Sequence, residues 1–199
     1  MMSDDEVRGS RGAASGPTPR ASAEALDLGE VLRALSFAAR KHRHQRRKDR
    51  EASPYINHPI DVADILVNEA AVRDVITVVA AVLHDTVEDT DTRPEELAEA
   101  FGAEVAAVVA EVTDDKSLPK AERKRLQEEH APHASPRAQQ VKLADKIANL
   151  RDIARSPPHN WDLERRRAYF DWAKRVVDGV RDRHEKLAAI FDEAYEARP

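Results

Sequence analysis

The chain has no cysteine among its 199 residues, which excludes disulfides and thiolate metal sites and fits a reducing compartment. Glycine (6 residues) and aromatic residues (5%) are scarce; with Ala, Leu, Glu and Arg abundant, this balance favours helix over sheet. No apolar run approaches the length of a membrane span. Residues Met1 to Glu6 lack the basic start and apolar stretch of a signal peptide, so a cytoplasmic protein is expected. An excess of positive charge is missing too. The formal net charge is -5 and the pI is near 5.9, so no overall field draws the protein to nucleic acid. Any anionic ligand must be met by a local cluster of cations.

What is present suits a helical domain. Hydrophobic residues make up 41% and charged residues 35%, enough for a core with a well-solvated exterior. Residues 1–23 are rich in Ser, Gly, Pro, Arg and Ala without periodicity and read as a flexible N-terminal tail; residues 24–199 form the domain. Leu28, Val31, Leu32, Leu35, Ala38 and Ala39 mark one stripe of a first helix, which runs into the basic stretch Arg40–Lys48. Ile60, Ala63, Ile65 and Leu66 are the inward positions of a helix from 59 to about 69, with Pro59 suited to its first turn. Residues 71–84 are rich in β-branched side chains, yet their number and the spacing of Val72, Val75, Ile76, Val79, Val82 and Leu83 favour helix over buried strand. Thr92 is placed to cap a helix through Glu99 that Gly102 ends. Further helices are predicted near 105–112, 120–130, 136–155, 161–178 and 182–197. The expected class is all-α, a compact multi-helix bundle without strands.

Chemistry concentrates in Leu83-His84-Asp85-Thr86-Val87-Glu88-Asp89-Thr90, where an imidazole and three carboxylates follow an almost wholly apolar segment. Burying such groups is costly unless they are paired or bound to a cation, and adjacent nitrogen and oxygen donors suit a divalent metal. A His-Asp pair is expected about 0.8 times by chance in such a chain, whereas His-Asp-x-x-Glu-Asp is expected about 0.007 times. The longer pattern is therefore informative; the plain alternative is an acidic helix end with a capping histidine. If the helix continues one more turn, Glu88 stacks over His84 and Asp89 over Asp85. Three other features each admit an ordinary explanation. The run Arg40–Lys48 suits a solvated helix end, and His58 before Pro59 suits a cap or a packing residue. Asp145, Asn149 and Asp152 share a helix face opposite Leu143, Ile147, Leu150 and Ala154, which is either a solvent face or an inward polar site.

In chain order, Tyr55-Ile56-Asn57-His58-Pro59, the His84-to-Asp89 pattern and Leu143-Ala144-Asp145-Lys146 resemble the metal-dependent HD phosphohydrolases. Within them the likeness is to the hydrolase domain of the RelA/SpoT alarmone enzymes and to the stand-alone small alarmone hydrolases. Much of residues 34–178 takes part, including Arg46-Arg47-Lys48-Asp49, Val112-Thr113-Asp114-Asp115-Lys116 and Tyr169-Phe170. The resemblance implies an HD-domain bundle in which His58, His84, Asp85 and Asp145 hold manganese (Mn2+). Glu88 and Asp89 would then position and deprotonate the attacking water. Arg47 and Lys48 would pack on guanine, and Tyr55, Asn149, Arg165 and Tyr169 would line the nucleotide pocket. Lys142, with Lys146, Arg165 and the basic run, offers cations for a polyphosphate. Two positions depart from the family pattern: Ala148, where many relatives have an aromatic residue or histidine, and Asp152, where the long enzymes often carry Thr.

The implied reaction removes the 3′-pyrophosphate from guanosine tetra- or pentaphosphate, leaving GDP or GTP. A phosphatase acting on NADPH or another nucleotide would use the same kind of site. A nucleotide sensor without turnover is the reading outside enzymology, and the Glu88-Asp89 pair speaks against it, since a pure binder gains nothing from a general base. The expected partner is the nucleotide, with no nucleic acid and no membrane; homo-oligomerisation stays open.

Overall fold

The structure is a computed structural model and describes residues 26–199; the tail expected over 1–23 lies outside the described residues. All named elements among them are helical: ten α-helices, one π-helical turn and two 3-10 turns. An isolated antiparallel bridge joins Arg46 to Pro54. No helix of the described residues is long and apolar enough to cross a membrane.

Helix α1 (Leu28–Lys41) is capped by the Asp27 carboxylate, which accepts from the Gly29 and Glu30 amides. It buries Ala34, Phe37 and Ala38, not the whole expected stripe: Leu28 and Leu32 are 69% and 65% exposed. Small Ala34 and Ala38 form the seam that faces the next elements, so the inward face is rotated away from the larger leucines. Helix α2 (Asn57–Asp64) has Pro59 in its first turn and passes into the π-helical turn Ile65–Glu69. Val62, Ile65 and Leu66 point inward, while Ile60, expected inward, is 45% exposed.

Helix α3 (Val75–Leu83) starts at the Asp74 cap and is buried from Thr77 to Leu83, as a helix and not a strand. A short helix α4 (Thr86–Asp89) follows. Helix α5 (Pro94–Phe101) is not capped by Thr92: Arg93 holds the cap position without a side-chain bond. Thr92 is instead buried, its hydroxyl 2.8 Å from that of Thr90. Pro94 at the first position pre-sets the backbone, and the helix runs to Phe101, where Gly102 ends it at φ +88°, a conformation that suits glycine. Helices α6 (Ala103–Val112), α7 (Lys120–His130), α8 (Pro136–Arg155), α9 (Leu163–Asp178) and α10 (Glu185–Tyr195) complete the chain.

Helix α8 is the axis, packed against α2, α3, α6, α9 and α10. Leu143, Ile147 and Leu150 are fully buried, each contributing about 1.5–3 kcal/mol. Ile153 takes the inward place expected of Ala154, which is exposed. Val141, Lys142, Ala144, Lys146 and Ala148 on other faces are buried as well. A helix enclosed on nearly every side leaves its polar residues nowhere but the interior, and Asp145 is thereby aimed at α2 and the end of α3.

Candidate active site

The α3 helix stops at Leu83, where the Thr86 hydroxyl donates to the Leu83 carbonyl at 2.7 Å. Asp85 then takes φ −95°, ψ −4°, in the bridge region between helix and extended backbone. The regular helix is thus broken at His84-Asp85 and resumes as the single turn α4, in which the Asp89 N–H donates to the Asp85 carbonyl at 2.9 Å. Asp89 keeps the helical relation to Asp85 expected of it, whereas the break separates Glu88 from the α3 register of His84. The turn instead faces His84 and Asp85 together toward His58 of α2 and Asp145 of α8. One ligand atom each from His58, His84 and Asp145 lies within 4.8 Å of the others. His58 Nε2 is 3.2 Å from Asp145 Oδ1 and 3.8 Å from Asp85 Oδ2. His84 Nε2 is 3.1 Å from Asp85 Oδ2 and 3.9 Å from Asp145 Oδ1.

A second layer fixes these groups. His84 Nδ1 donates to the Ala81 carbonyl at 2.7 Å, which turns Nε2 toward the cluster, buried and without a hydrogen-bond partner. Tyr55 donates its hydroxyl proton to Asp85 Oδ2 at 2.5 Å. Lys146 holds Asp145 Oδ2 at 2.8 Å and Asn149 holds Oδ1 at 2.6 Å. Lys146, expected among the cations awaiting phosphate, is thus buried and engaged by Asp145. Burial opposes protonation of His84, but the Asp85 and Asp145 carboxylates outweigh it and push the imidazole up to about 9. Burial would raise both carboxyls; the facing imidazoles, and for Asp145 chiefly the Lys146 ammonium, hold them well below the ordinary range. An unpartnered imidazole nitrogen converging with carboxylate oxygens is the mixed donor set that a divalent cation fits.

Glu88 and Asp89 diverge. Glu88 Oε2 accepts the Asp114 backbone N–H at 3.1 Å, and Arg123 stands 3.7 Å from Oε1. Burial pushes the Glu88 carboxyl up against that backbone bond. Asp89 accepts from Gln45 Nε2 at 2.9 Å and from Lys116.

Above this floor opens a cavity of about 480 Å³, which reaches His58 but not His84, Asp85 or Asp145, buried behind it. Of the predicted residues it brings together Arg47, Lys48, Tyr55, His58, Asp89, Asn149 and Tyr169 along its lining. Residues 46–54 form a tight loop, closed by Arg47 N–H to Ser53 O at 2.8 Å and Tyr55 N–H to Gln45 O at 3.2 Å. Arg47 pairs with Asp152 and lies 5.7 Å from the Tyr55 ring centroid. The Lys48 carbonyl accepts the His159 N–H at 3.2 Å, which ties this loop to the segment leading into α9. Arg165 sits beside the cavity, its guanidinium 4.5 Å from the Trp161 ring centroid. Lys142 does not join this pocket. It is buried along a separate cavity of about 200 Å³ with Asp114, Arg123 and Gln127, where burial and neighbouring Lys146 push it down to about 8. Glu88 lines neither cavity. Among the lining residues that went unnoticed in the sequence are Trp161 and Gln45. Trp161, one of only two tryptophans, was findable as a rare aromatic in a polar connection; Gln45, inside a run of cations, carried no signal.

A family model described as HD domain matches residues 34–171. The Homo sapiens guanosine-3′,5′-bis(diphosphate) 3′-pyrophosphohydrolase MESH1 is 54% identical over 172 residues, covering 86% of this chain and 96% of that protein. Its Danio rerio counterpart is 57% identical over 165 residues, covering 81% and 92%. A solved structure described as a metazoan ortholog of SpoT that hydrolyzes ppGpp superposes with a TM-score of 0.82 at 47% identity, covering 92% of this chain and 98% of that one. A Listeria monocytogenes EGD-e protein, lmo0812, superposes at 0.55 with 26% identity, covering 71% and 98%.

Proposed function

The chain belongs to the HD-domain family, and on that footing we propose that it is a metal-dependent guanosine-3′,5′-bis(diphosphate) 3′-pyrophosphohydrolase. It takes ppGpp and water to GDP and pyrophosphate, and pppGpp to GTP and pyrophosphate. The observation that carries this reading is the buried convergence of His58, His84 and Asp145, with Asp85, at the edge of a cavity lined by Arg47 and Lys48.

His58, His84, Asp85 and Asp145 are the residues that would hold the ion, and manganese is the ion proposed. When bound, such a cation supplies Lewis acidity toward a phosphoryl oxygen and makes water more acidic. Asp89, on the cavity wall, or Glu88, whose carboxyl burial pushes up, accepts the one proton that water loses on attacking phosphorus, the other helping to position that water. Tyr55 and Asn149 act through the floor, each holding one carboxylate oxygen in place. Arg47 offers guanine a flat cation fixed by Asp152 and Tyr55. Lys48 and Arg165 receive phosphate charge, and Tyr169 closes the pocket beside Trp161.

The test is purified protein with manganese, offered ppGpp, NADPH and deoxynucleoside triphosphates in parallel with products resolved. GDP and pyrophosphate from ppGpp are expected. Faster turnover of NADPH would move the substrate assignment, and ppGpp binding without any turnover would make the protein a sensor. Reconstitution with manganese, magnesium or zinc, scored by occupancy and rate, tests the choice of ion.

A further inference from the structure

His42 ends α1, is 2% exposed and does not itself line the cavity. Its Nδ1 is 2.6 Å from Gln45 Oε1, and Gln45 Nε2 donates to Asp89 Oδ2 at 2.9 Å. The Gln45 backbone is locked, its N–H on the His42 carbonyl at 2.9 Å and its carbonyl accepting from Tyr55 at 3.2 Å. What remains free is the direction of the side-chain amide, which can present either its oxygen or its NH2 to Asp89. An ionised carboxylate only accepts, so the NH2 must face Asp89 and the oxygen must face His42. His42 must then carry its proton on Nδ1. Its Nε2 is left buried with no partner, an unfavourable arrangement that a packing residue would not need, because a phenyl ring would fill the space and stack on Tyr55 as His42 does at 4.9 Å.

We infer that His42 and Gln45 are positioning residues that fix the orientation of the Asp89 carboxylate for proton transfer. The inference rests on the role proposed above for Asp89. His42 donates, the amide is held one way round, and the Asp89 oxygen nearest Gln45 is pinned while Lys116 restrains the other. Without the His42 donor the Gln45 amide oxygen is left without its partner, the amide is no longer held from behind and rotates off Asp89 for part of the time, and the carboxylate then swings away from the attacking water.

Four variants test this: His42→Phe, which keeps the ring and loses the donor; His42→Asn, whose amide N–H stands near the Nδ1 position; Gln45→Leu; and Asp89→Asn. Each is measured for kcat and KM with ppGpp, manganese content and thermal midpoint. His42→Phe and Gln45→Leu are expected to lower kcat about tenfold, with KM and manganese content within about twofold of the parent. His42→Asn is expected to recover most of the rate. Full kcat in His42→Phe, no recovery in His42→Asn, or loss of manganese in either His42 variant would overturn the relay. If His42→Phe does not fold, Gln45→Leu, whose backbone bonds are untouched, decides the matter alone: full kcat overturns the relay and a tenfold loss at unchanged KM supports it. Unchanged kcat in Asp89→Asn would remove the base assignment and the relay with it. A large loss in Asp89→Asn beside full rate in Gln45→Leu would remove the relay only.

Discussion

The floor of the pocket is carried by helices α2, α3 and α8 and is buried, whereas its outer wall is carried by the 46–54 loop and the segment before α9 and is half-exposed. His58 and His84 are 2% and 6% exposed, and each floor carboxylate is bonded from behind by a residue of fixed position, Tyr55 on one and Lys146 with Asn149 on the other. Along the wall, Arg47 and Asp152 hold one another while Lys48 and Arg165 stay exposed. On the floor each charge depends on the others for its neutralisation, so removing one leaves the rest buried and uncompensated. On the wall each cation has at most a single partner, Asp152 for Arg47 and the Trp161 ring for Arg165, and its loss is local. The floor is therefore expected to fail all at once and the wall by degrees.

The largest effect should come from the floor. His84→Ala or Asp145→Ala is expected to abolish bound metal and turnover together, since each removes a donor from a set of four. The thermal midpoint in saturating manganese should fall toward that of chelator-treated parent protein, because an ion that binds only the folded state stabilises it by mass action. Full metal occupancy in both variants would strike these residues from the ligand set. Next in size, Glu88→Gln combined with Asp89→Asn should leave metal and ppGpp binding largely intact while lowering the rate by a factor on the order of 100 or more. Turnover close to the parent's would place the base elsewhere.

Legibility in the sequence followed the same division. The helices of the floor carry strong periodic signals, and the run of valines ending in His84-Asp85 marked the site before any geometry. What it could not mark was the break at His84-Asp85, because neither proline nor glycine stands there and a further helical turn follows at once. The roles of Tyr55 and Asn149 were half legible: both line the pocket, as expected, yet each also holds one of the floor's carboxylates. Lys142 shows the limit of reading charge by itself, since its register on an enclosed helix turns it toward Asp114 and Arg123 and away from the pocket. Leu28, Leu32 and Ile60 failed for a related reason. Apolar periodicity locates a helix, but small residues such as Ala34 decide which face lies closest to its neighbour.

On the wall, Arg47→Ala should weaken ppGpp binding by about 1–2 kcal/mol with a smaller change in kcat. Arg47→Lys should recover little, because the charge is kept and the flat surface facing a purine is not. Michaelis constants compared at fixed ionic strength hold screening constant. Full recovery by lysine would reduce the position to a point charge.

The smallest effect is expected at Trp161, which no motif identified. Its ring is tilted against Tyr169 at 5.7 Å and faces two cations, the Arg165 guanidinium at 4.5 Å and the Lys120 ammonium at 5.6 Å. Neither cation has a carboxylate partner among the described residues, so the indole face is what holds them beside the cavity. A cation on a partly exposed aromatic face is worth about 0.5–1 kcal/mol, and only part of that is transmitted to a bound nucleotide. Trp161→Ala should raise KM for ppGpp by a factor of about 2–5, leaving kcat and manganese content unchanged. Trp161→Phe, which keeps a smaller face for the same cations, should show less than half of that change on a logarithmic scale. A fall in kcat in Trp161→Ala comparable to that of the Glu88 and Asp89 double variant would mean that the wall orients the reacting phosphate as well as gripping the nucleotide, and the division between floor and wall would no longer hold.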